Sequence, residues 1–142
     1  MRILKDKSVD YIFSHSVMEH IRKSDIDELI NEMYRVLADD GLISHNINYK
    51  DHLEESLNNL RFSEKIWESD FFAKSGFYTN RIPAVEMHKK FTRKGFKILI
   101  ENFGSWPKLP IKRKYIHRDF NLFTDKDLNN RTSSFIAKKK AP

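Results

Sequence analysis

The chain of 142 residues contains no cysteine and only four glycines and four prolines. The absence of cysteine excludes disulfides, thiolate metal sites and cysteine nucleophiles. No window approaches the roughly 18 uninterrupted apolar residues that a membrane-spanning helix requires. The first residues, Met1 to Asp6, are too few and too charged for a secretory signal. We therefore expect a cytoplasmic protein that does not contact a membrane.

Bulky apolar residues are plentiful, and eleven Phe, five Tyr and two Trp argue against intrinsic disorder. The length lies within the usual range of one domain, so residues 1–142 are predicted to share a single core. Lys and Arg outnumber Asp and Glu by 26 to 20, and the segment from Lys108 to Arg118 is basic. Solvated lysines are the preferred interpretation because acidic residues are interspersed elsewhere, and nucleic-acid binding therefore ranks last.

The first half of the chain has the pattern of a strand, a helix and a second strand. Residues 9–13 are mostly apolar, which is typical of an interior strand covered on both faces. Ser24 and Asp27 form a potential capping box before an amphipathic stripe that runs to Leu37. We expect Gly41 to end this helix in a left-handed conformation, with a strand over 42–49 behind it. This succession predicts that the first two strands are parallel.

The second half continues the alternation of helices and strands. The predicted elements are a loop over 50–60, a short helix over 63–74, a helix from Pro83 to Gly95, a strand over 96–103, a short helix capped by Thr124 and Asp127, and a final strand over 131–138. The chain is therefore predicted to have an α/β fold.

Residues 7–21, KSVDYIFSHSVMEHI, resemble the fourth-strand segment of class I S-adenosylmethionine-dependent methyltransferases of the type 11 kind. Residues 32–42, EMYRVLADDGL, resemble the helix end, turn and fifth strand that follow in that family. The resemblance continues through 61–67 and 77–81 and closes with the basic final strand. It implies a partial Rossmann-like sheet of about four strands, mostly parallel, with the last strand antiparallel. It also implies methyl transfer from S-adenosylmethionine to a small-molecule or sugar-type oxygen or nitrogen acceptor.

The chain departs from the family in lacking a G-x-G motif for the cofactor. It therefore resembles the carboxyl-terminal half of a methyltransferase domain. The first strand would then have an open edge, so we expect self-association or pairing with a complementing chain. A non-catalytic interaction module derived from a methyltransferase is the alternative function.

The resemblance places Ser14, His15 and Ser16 near the methionine portion of the cofactor, largely through backbone groups. The same residues also suit a loop and helix cap, and both interpretations remain open. For the base that removes a proton from the acceptor, the candidates are His20, His45 and His52. His45 lies on a strand and is equally suited to packing, and His52 lies in a polar loop.

The residues assigned to acceptor binding are Tyr49, Arg61, Asn80 and Arg81. The aromatic residues between 67 and 78 suit an acceptor pocket or a core: Trp67, Phe71, Phe72, Phe77 and Tyr78. His15, Glu19 and His20 lie close together, but ordinary polar loop chemistry is preferred, so no metal is predicted.

Overall fold

The computed structural model describes residues 3–140, which form a four-stranded mixed sheet in the order β1-β2-β4-β3. The strands are β1 (Val9–His15), β2 (Leu37–Asn48), β3 (Phe96–Ser105) and β4 (Asn130–Lys139). The helices are α1 (Ile26–Val36), α2 (Glu64–Trp67), α3 (Asp70–Ala73), α4 (Ala84–Lys94) and α5 (Asp125–Leu128). β1 is parallel to β2, and β4 is antiparallel to β2 and β3, which confirms the predicted partial Rossmann-like α/β fold.

The β1–α1–β2 unit has the predicted parallel pairing, but two details of the prediction were wrong. Asp25 rather than Ser24 is the residue before the helix, and the Ser24 hydroxyl bonds the Asp25 carboxylate instead of a helical N–H. Gly41 does not have a positive φ and lies within β2, since that strand begins directly after α1. A Cβ on Gly41 would lie 2.9 Å from Leu37 Cδ1 and 3.0 Å from the Asp10 carbonyl oxygen. Glycine is therefore needed there for close approach of the chain.

Helix boundaries in the second half agree with the prediction at two places and differ at one. Gly95 ends α4 with φ 115°, and Thr124 and Asp127 form a complete capping box on α5. The helix predicted over 63–74 is instead two single turns, α2 and α3. Ser69 separates them, since its backbone is extended and its hydroxyl donates to the Ile66 carbonyl at 2.7 Å.

The main core lies between one face of the sheet and the helices α1 and α4. It contains Met18, Ile26, Ile30, Leu37, Ile43, Ile47, Ile82, Met87, Phe91, Phe96, Phe135 and Ala137. A second apolar cluster joins the 57–60 segment to the 109–128 region. We call the sheet surface on this side the covered face.

The opposite surface of the sheet, the open face, has no helix packed on it within residues 3–140. β1 is an edge strand of this sheet within residues 3–140, so the expected open edge is present. The prediction that β1 is covered on both faces was wrong. Tyr11 and Phe13 are 54% and 72% exposed and stack with ring centroids 5.9 Å apart. Leu42 and Ile100 are also exposed.

The longest helices in the described part of the chain, α1 and α4, have 11 residues each, and none found there is long and apolar enough to cross a membrane.

Candidate functional site

The carboxyl ends of β1 and β2 meet at one edge of the sheet because the two strands are parallel. The Ser16 N–H donates to the Asn46 carbonyl at 2.9 Å, and Ser16 has φ 52°. The chain then forms a 3₁₀ turn, Met18–His20. This tight turn places Glu19 and His20 beside the end of β2.

Glu19 is a buried carboxylate at the base of this site. Its side chain accepts a hydrogen bond from the Asn48 N–H at 3.3 Å, and the residue is only 3% exposed. Burial raises the pKa of Glu19, while the neighbouring His20 and His52 act in the opposite direction. Its Oε2 has no hydrogen-bond partner among the described residues.

His20 and His52, both predicted as candidate bases, come together in the structure. Their rings stack with centroids 5.1 Å apart and planes 13° from parallel, and both residues are exposed. His20 Nδ1 lies 3.0 Å from the Tyr78 carbonyl oxygen. A carbonyl only accepts, so His20 Nδ1 carries the proton, and in the neutral ring Nε2 is left as the basic nitrogen.

Asn80 holds the turn that carries these groups. Its side-chain amide donates to the carbonyls of Met18 at 2.8 Å and Ile21 at 3.0 Å, and its backbone N–H donates to the Glu19 carbonyl at 2.8 Å. Its Oδ1 accepts from the Ile82 N–H at 3.2 Å. Asn80 is assigned to acceptor binding from the sequence. In the structure, its hydrogen-bonding groups are instead engaged with partners inside the protein.

Arg81 is likewise occupied inside the protein. Its guanidinium donates to the carbonyls of Asn59 at 3.0 Å and Phe62 at 2.7 Å, and its side chain is fully buried. It lies over the rings of Trp67 and Phe120. Burial lowers the pKa of Arg81. The structure therefore places this side chain as a link between three loops.

The other two residues assigned to acceptor binding lie apart. Arg61 is exposed and stacks on Tyr115, with its guanidinium carbon 4.8 Å from the ring centre. The Tyr49 hydroxyl lies 2.8 Å from Ser133 Oγ, and burial raises the pKa of Tyr49. His88 Nε2 lies 3.2 Å from the same Ser133 oxygen.

Ser14 and His45 lie on the covered face rather than at the solvent-facing end of the site. Ser14 Oγ is 2.7 Å from His45 Nδ1, and His45 is 1% exposed. Burial lowers the pKa of His45 to about 4, so this ring is neutral near pH 7. His15 is exposed on the open face, and Ser16 lies at the turn that follows.

Asp51, which the sequence analysis did not identify, organises the loop that carries His52. It is 1% exposed, and its carboxylate accepts hydrogen bonds from five backbone N–H groups. The donors are Leu53, Glu54, Ser56, Asn58 and Asn59. Many polar residues surround Asp51 in the sequence, so its role cannot be distinguished there from theirs. The only sequence signal for this role is an Asp at the start of a loop.

A small internal cavity of about 20 Å³ lies beside the site. Glu19, Asn59 and Arg81 line it, and each has one buried polar atom without a partner among residues 3–140: Oε2, Oδ1 and Nε respectively. This volume is close to that needed for a single water molecule.

The predicted aromatic cluster divides between core and surface. Trp67 is fully buried and stacks against Phe62 and Phe72, whereas Phe71 is 79% exposed.

Part of the basic segment from Lys108 to Arg118 also serves internal structure, since Arg113 donates to the Phe123 carbonyl at 2.7 Å.

Comparison with known proteins finds one family model that matches part of the chain. Residues 2–44 match the family model described as a methyltransferase domain. No curated protein matches the sequence. This matched segment contains β1, the Met18–His20 turn, α1 and the first part of β2.

Solved structures extend the similarity of fold to the whole chain. An S-adenosylmethionine-dependent methyltransferase from Methanosarcina mazei aligns with TM-score 0.63 and 14% identity, over 100% of this chain and 64% of that one. A methyltransferase from Haloferax volcanii, solved with its activator Trm112, aligns with TM-score 0.55 and 14% identity, over 100% and 58%. The [4+2]-cyclase SpnF aligns with TM-score 0.58 and 12% identity, over 100% and 53%. The chain therefore has the fold of these enzymes and spans 53–64% of their length.

Proposed function

We propose that this chain is part of an S-adenosylmethionine-dependent methyltransferase that acts on a small-molecule or sugar-type acceptor with an oxygen or nitrogen nucleophile. The stacked pair of His20 and His52, beside buried Glu19 at the carboxyl ends of parallel strands, carries this proposal. Ligands of open α/β sheets bind at that edge. The methyltransferase match over residues 2–44, which include Glu19 and His20, supports the reaction class.

His20 is the residue proposed to accept the proton of the acceptor. Its Nδ1–H is held by the Tyr78 carbonyl, so Nε2 of the exposed ring is free to take a proton from a hydroxyl or ammonium group. The charged imidazolium that results lies near the Glu19 carboxylate. His52 covers one face of the ring and keeps its orientation.

The residues present fit one side of a cofactor site. S-adenosylmethionine, when bound, supplies an electrophilic methyl group on a sulfonium sulfur. The backbone of Ser14 and His15 lies at the end of β1, whose outer side has no strand neighbour within residues 3–140, and Ser16 begins the turn that follows. The Ser14 hydroxyl is occupied by His45, so the contact proposed for Ser14 is through its backbone. The sequence contains no G-x-G motif to cradle the rest of the cofactor.

Titration with S-adenosylhomocysteine, followed by amide NMR of the full chain, tests the cofactor proposal. We expect weak binding with shifts concentrated at residues 14–20. Calorimetry measures the affinity, and homocysteine alone serves as the ligand control. Absence of shifts at millimolar ligand, or shifts confined to other regions, would contradict the proposed site.

Transfer of an isotope-labelled methyl group to a panel of alcohols, phenols and amines tests the role of His20. His20→Gln should lower the transfer rate by about 10²–10⁴-fold with acceptors that must lose a proton. His117→Gln is the matched control because His117 lies outside the strand-end site, beside Asp119. Equal rates in H20Q and the unaltered chain would exclude His20 as the base.

A non-catalytic interaction module is the second candidate, and the exposed, stacked Tyr11 and Phe13 on the edge strand favour it. This function predicts association through β1 and no response of residues 14–20 to S-adenosylhomocysteine. The NMR titration therefore separates the two candidates.

A further inference from the structure

A large groove lies beside β3, at the opposite edge of the sheet from β1. It has a volume of about 1080 Å³ and runs between α4 and β3, with the 125–130 segment at one end. Its apolar lining consists of Val85, Phe96, Ile98, Leu99, Phe103 and Leu109. We call it the β3 groove.

The strand that forms one wall of the β3 groove is itself unpaired on its outer side. β3 is ten residues long, and its only strand neighbour within residues 3–140 is β4. Leu99, Ile100 and Phe103 on this strand are 44%, 63% and 39% exposed. A long apolar edge strand is a template for pairing with another extended segment, because its outer N–H and C=O groups are free.

Side chains along β3 face the β3 groove at strand spacing. Phe96 and Ile98 line it on one side of the bulge at Leu99, and Glu101 and Phe103 line it on the other. A segment added beside β3 would therefore direct alternate side chains over the groove. The remaining side chains would point toward the open face.

The charges around the β3 groove favour an acidic partner. Four lysines line it, and none has an ion pair within 4.0 Å in the described part of the chain: Lys89, Lys97, Lys126 and Lys140. Three carboxylates also line it: Asp125 is paired with Arg113, whereas Glu101 bonds the neutral His88 ring and Asp127 bonds the Thr124 hydroxyl. Four lysines against two carboxylates that lack a cationic partner leave the net charge of the groove positive.

We propose that the β3 groove binds an extended acidic peptide, with apolar side chains at alternate positions, which adds to the sheet as a strand beside β3. Backbone pairing with β3 supplies affinity, and the groove and its lysines select apolar and acidic side chains respectively. A second copy of this chain is disfavoured as the occupant, since pairing β3 with itself would bring two lysine-rich rims together.

Two pools of capped peptides of about eight residues, long enough to pair with most of β3, test the proposal. Both pools carry Val, Leu, Ile or Phe at alternate positions, with Glu between them in one pool and Lys in the other. In amide NMR of the full chain, the Glu pool should shift residues 96–105 and the Lys pool should not. Binding should weaken as salt is added.

Matched variants locate the binding. Phe103→Glu and the double variant Lys89→Glu, Lys126→Glu should each lower affinity for the Glu pool at least about tenfold, which is a change of about 1.4 kcal/mol. Phe71→Glu is the control because Phe71 is exposed on α3, away from the β3 groove. The double variant tests the groove even if F103E disturbs the fold, since both lysines are exposed residues on α4 and α5.

Three results of the titration would overturn the proposal. The Glu pool fails to bind, its shifts map to β1 or the open face, or the Lys pool binds equally well. Light scattering that shows a dimer abolished by F103E would identify a second copy as the occupant instead. None of these results depends on S-adenosylhomocysteine binding, so failure here is distinguishable from failure of the proposed methyltransferase function.

Discussion

Ser14 Oγ and His45 Nδ1 lie 2.7 Å apart on neighbouring parallel strands, beneath the helices rather than in the solvent-facing site. The His45 ring packs against Phe91 and Phe135, with centroid distances of 5.3 and 5.5 Å. Its Nε2 has no partner among residues 3–140, which adds to the cost of placing a charge there. This pair therefore holds β1 to β2 within the core.

His45 should make the stability of the fold depend on pH. Burial lowers the folded-state pKa of His45 from 6.5 to about 4, so the unfolded chain binds the proton more readily than the folded chain. The contribution is fully present above pH 6.5 and is lost as the pH falls toward 4, with a size of up to about 3 kcal/mol. Burial also lowers the pKa of His88, which acts in the same direction.

Urea unfolding of His45→Gln at neutral and acidic pH measures this contribution. Gln retains a hydrogen bond to Ser14 but does not titrate, so the loss of stability on acidification should be smaller than in the unaltered chain. His15→Gln is the control because His15 is exposed on the opposite face. An unchanged pH dependence in H45Q would show that His45 is not buried as a neutral ring.

Ser133 should be the central residue of a buried hydrogen-bonded chain. The Glu101 carboxylate only accepts, so His88 Nδ1 donates to it at 3.1 Å and the neutral ring accepts at Nε2. Ser133 then donates to His88 and accepts from the Tyr49 hydroxyl at 2.8 Å. Ser133→Ala leaves two buried groups without partners and should cost about 3 kcal/mol.

A double-mutant cycle with Tyr49→Phe checks this prediction by urea unfolding. Y49F removes only the first donor and should cost about 1 kcal/mol, and the two changes together should cost less than their sum. Ser134→Ala, on the open face beside Asn46, should have almost no effect. Additive losses would show that Tyr49 and Ser133 do not interact.

The fold was more predictable from the sequence than the site because strand and helix patterns are local. The apolar stripe before Gly41 and the Pro83 to Gly95 segment predicted both long helices, and Thr124 with Asp127 predicted the last cap. The exposure of Phe13 depends on which segments pack over β1, and local pattern does not contain that information. The same limit applies to β2, which begins at Leu37, five residues before the predicted strand.

The stacking of His20 and His52 was not predictable as a contact, although both residues were candidates. The contact depends on the loop after β2 folding back over the Met18–His20 turn, and Asp51 produces that loop by binding backbone N–H groups. Nothing in the spacing of polar residues separates this Asp from the others nearby. The burial of Arg81 was not predictable either, because a guanidinium becomes buried only when the loops around it assemble. Its assignment to acceptor binding rested on the local sequence alone.

Asp51→Asn should loosen the loop that carries His52. The Asn side chain retains one acceptor but turns an NH₂ group toward the N–H groups of Asn58 and Asn59. We expect a loss of about 2 kcal/mol in unfolding free energy and faster amide exchange at those two residues. Asp10→Asn, exposed on β1, is the control. Unchanged exchange in D51N would contradict the role assigned to Asp51.

Phe13→Lys should reduce association through the open edge of β1. A ring that is 72% exposed on an unpaired strand offers apolar area and free backbone groups together, whereas a lysine there repels a second copy of this basic chain. Light scattering across a concentration series should show a mass above the monomer for the unaltered chain and a lower mass for F13K. Phe71→Lys, with comparable exposure on α3, should leave the mass unchanged. A monomer at every concentration would show that the β1 edge does not drive self-association, and would leave a complementing chain as the partner that this edge predicts.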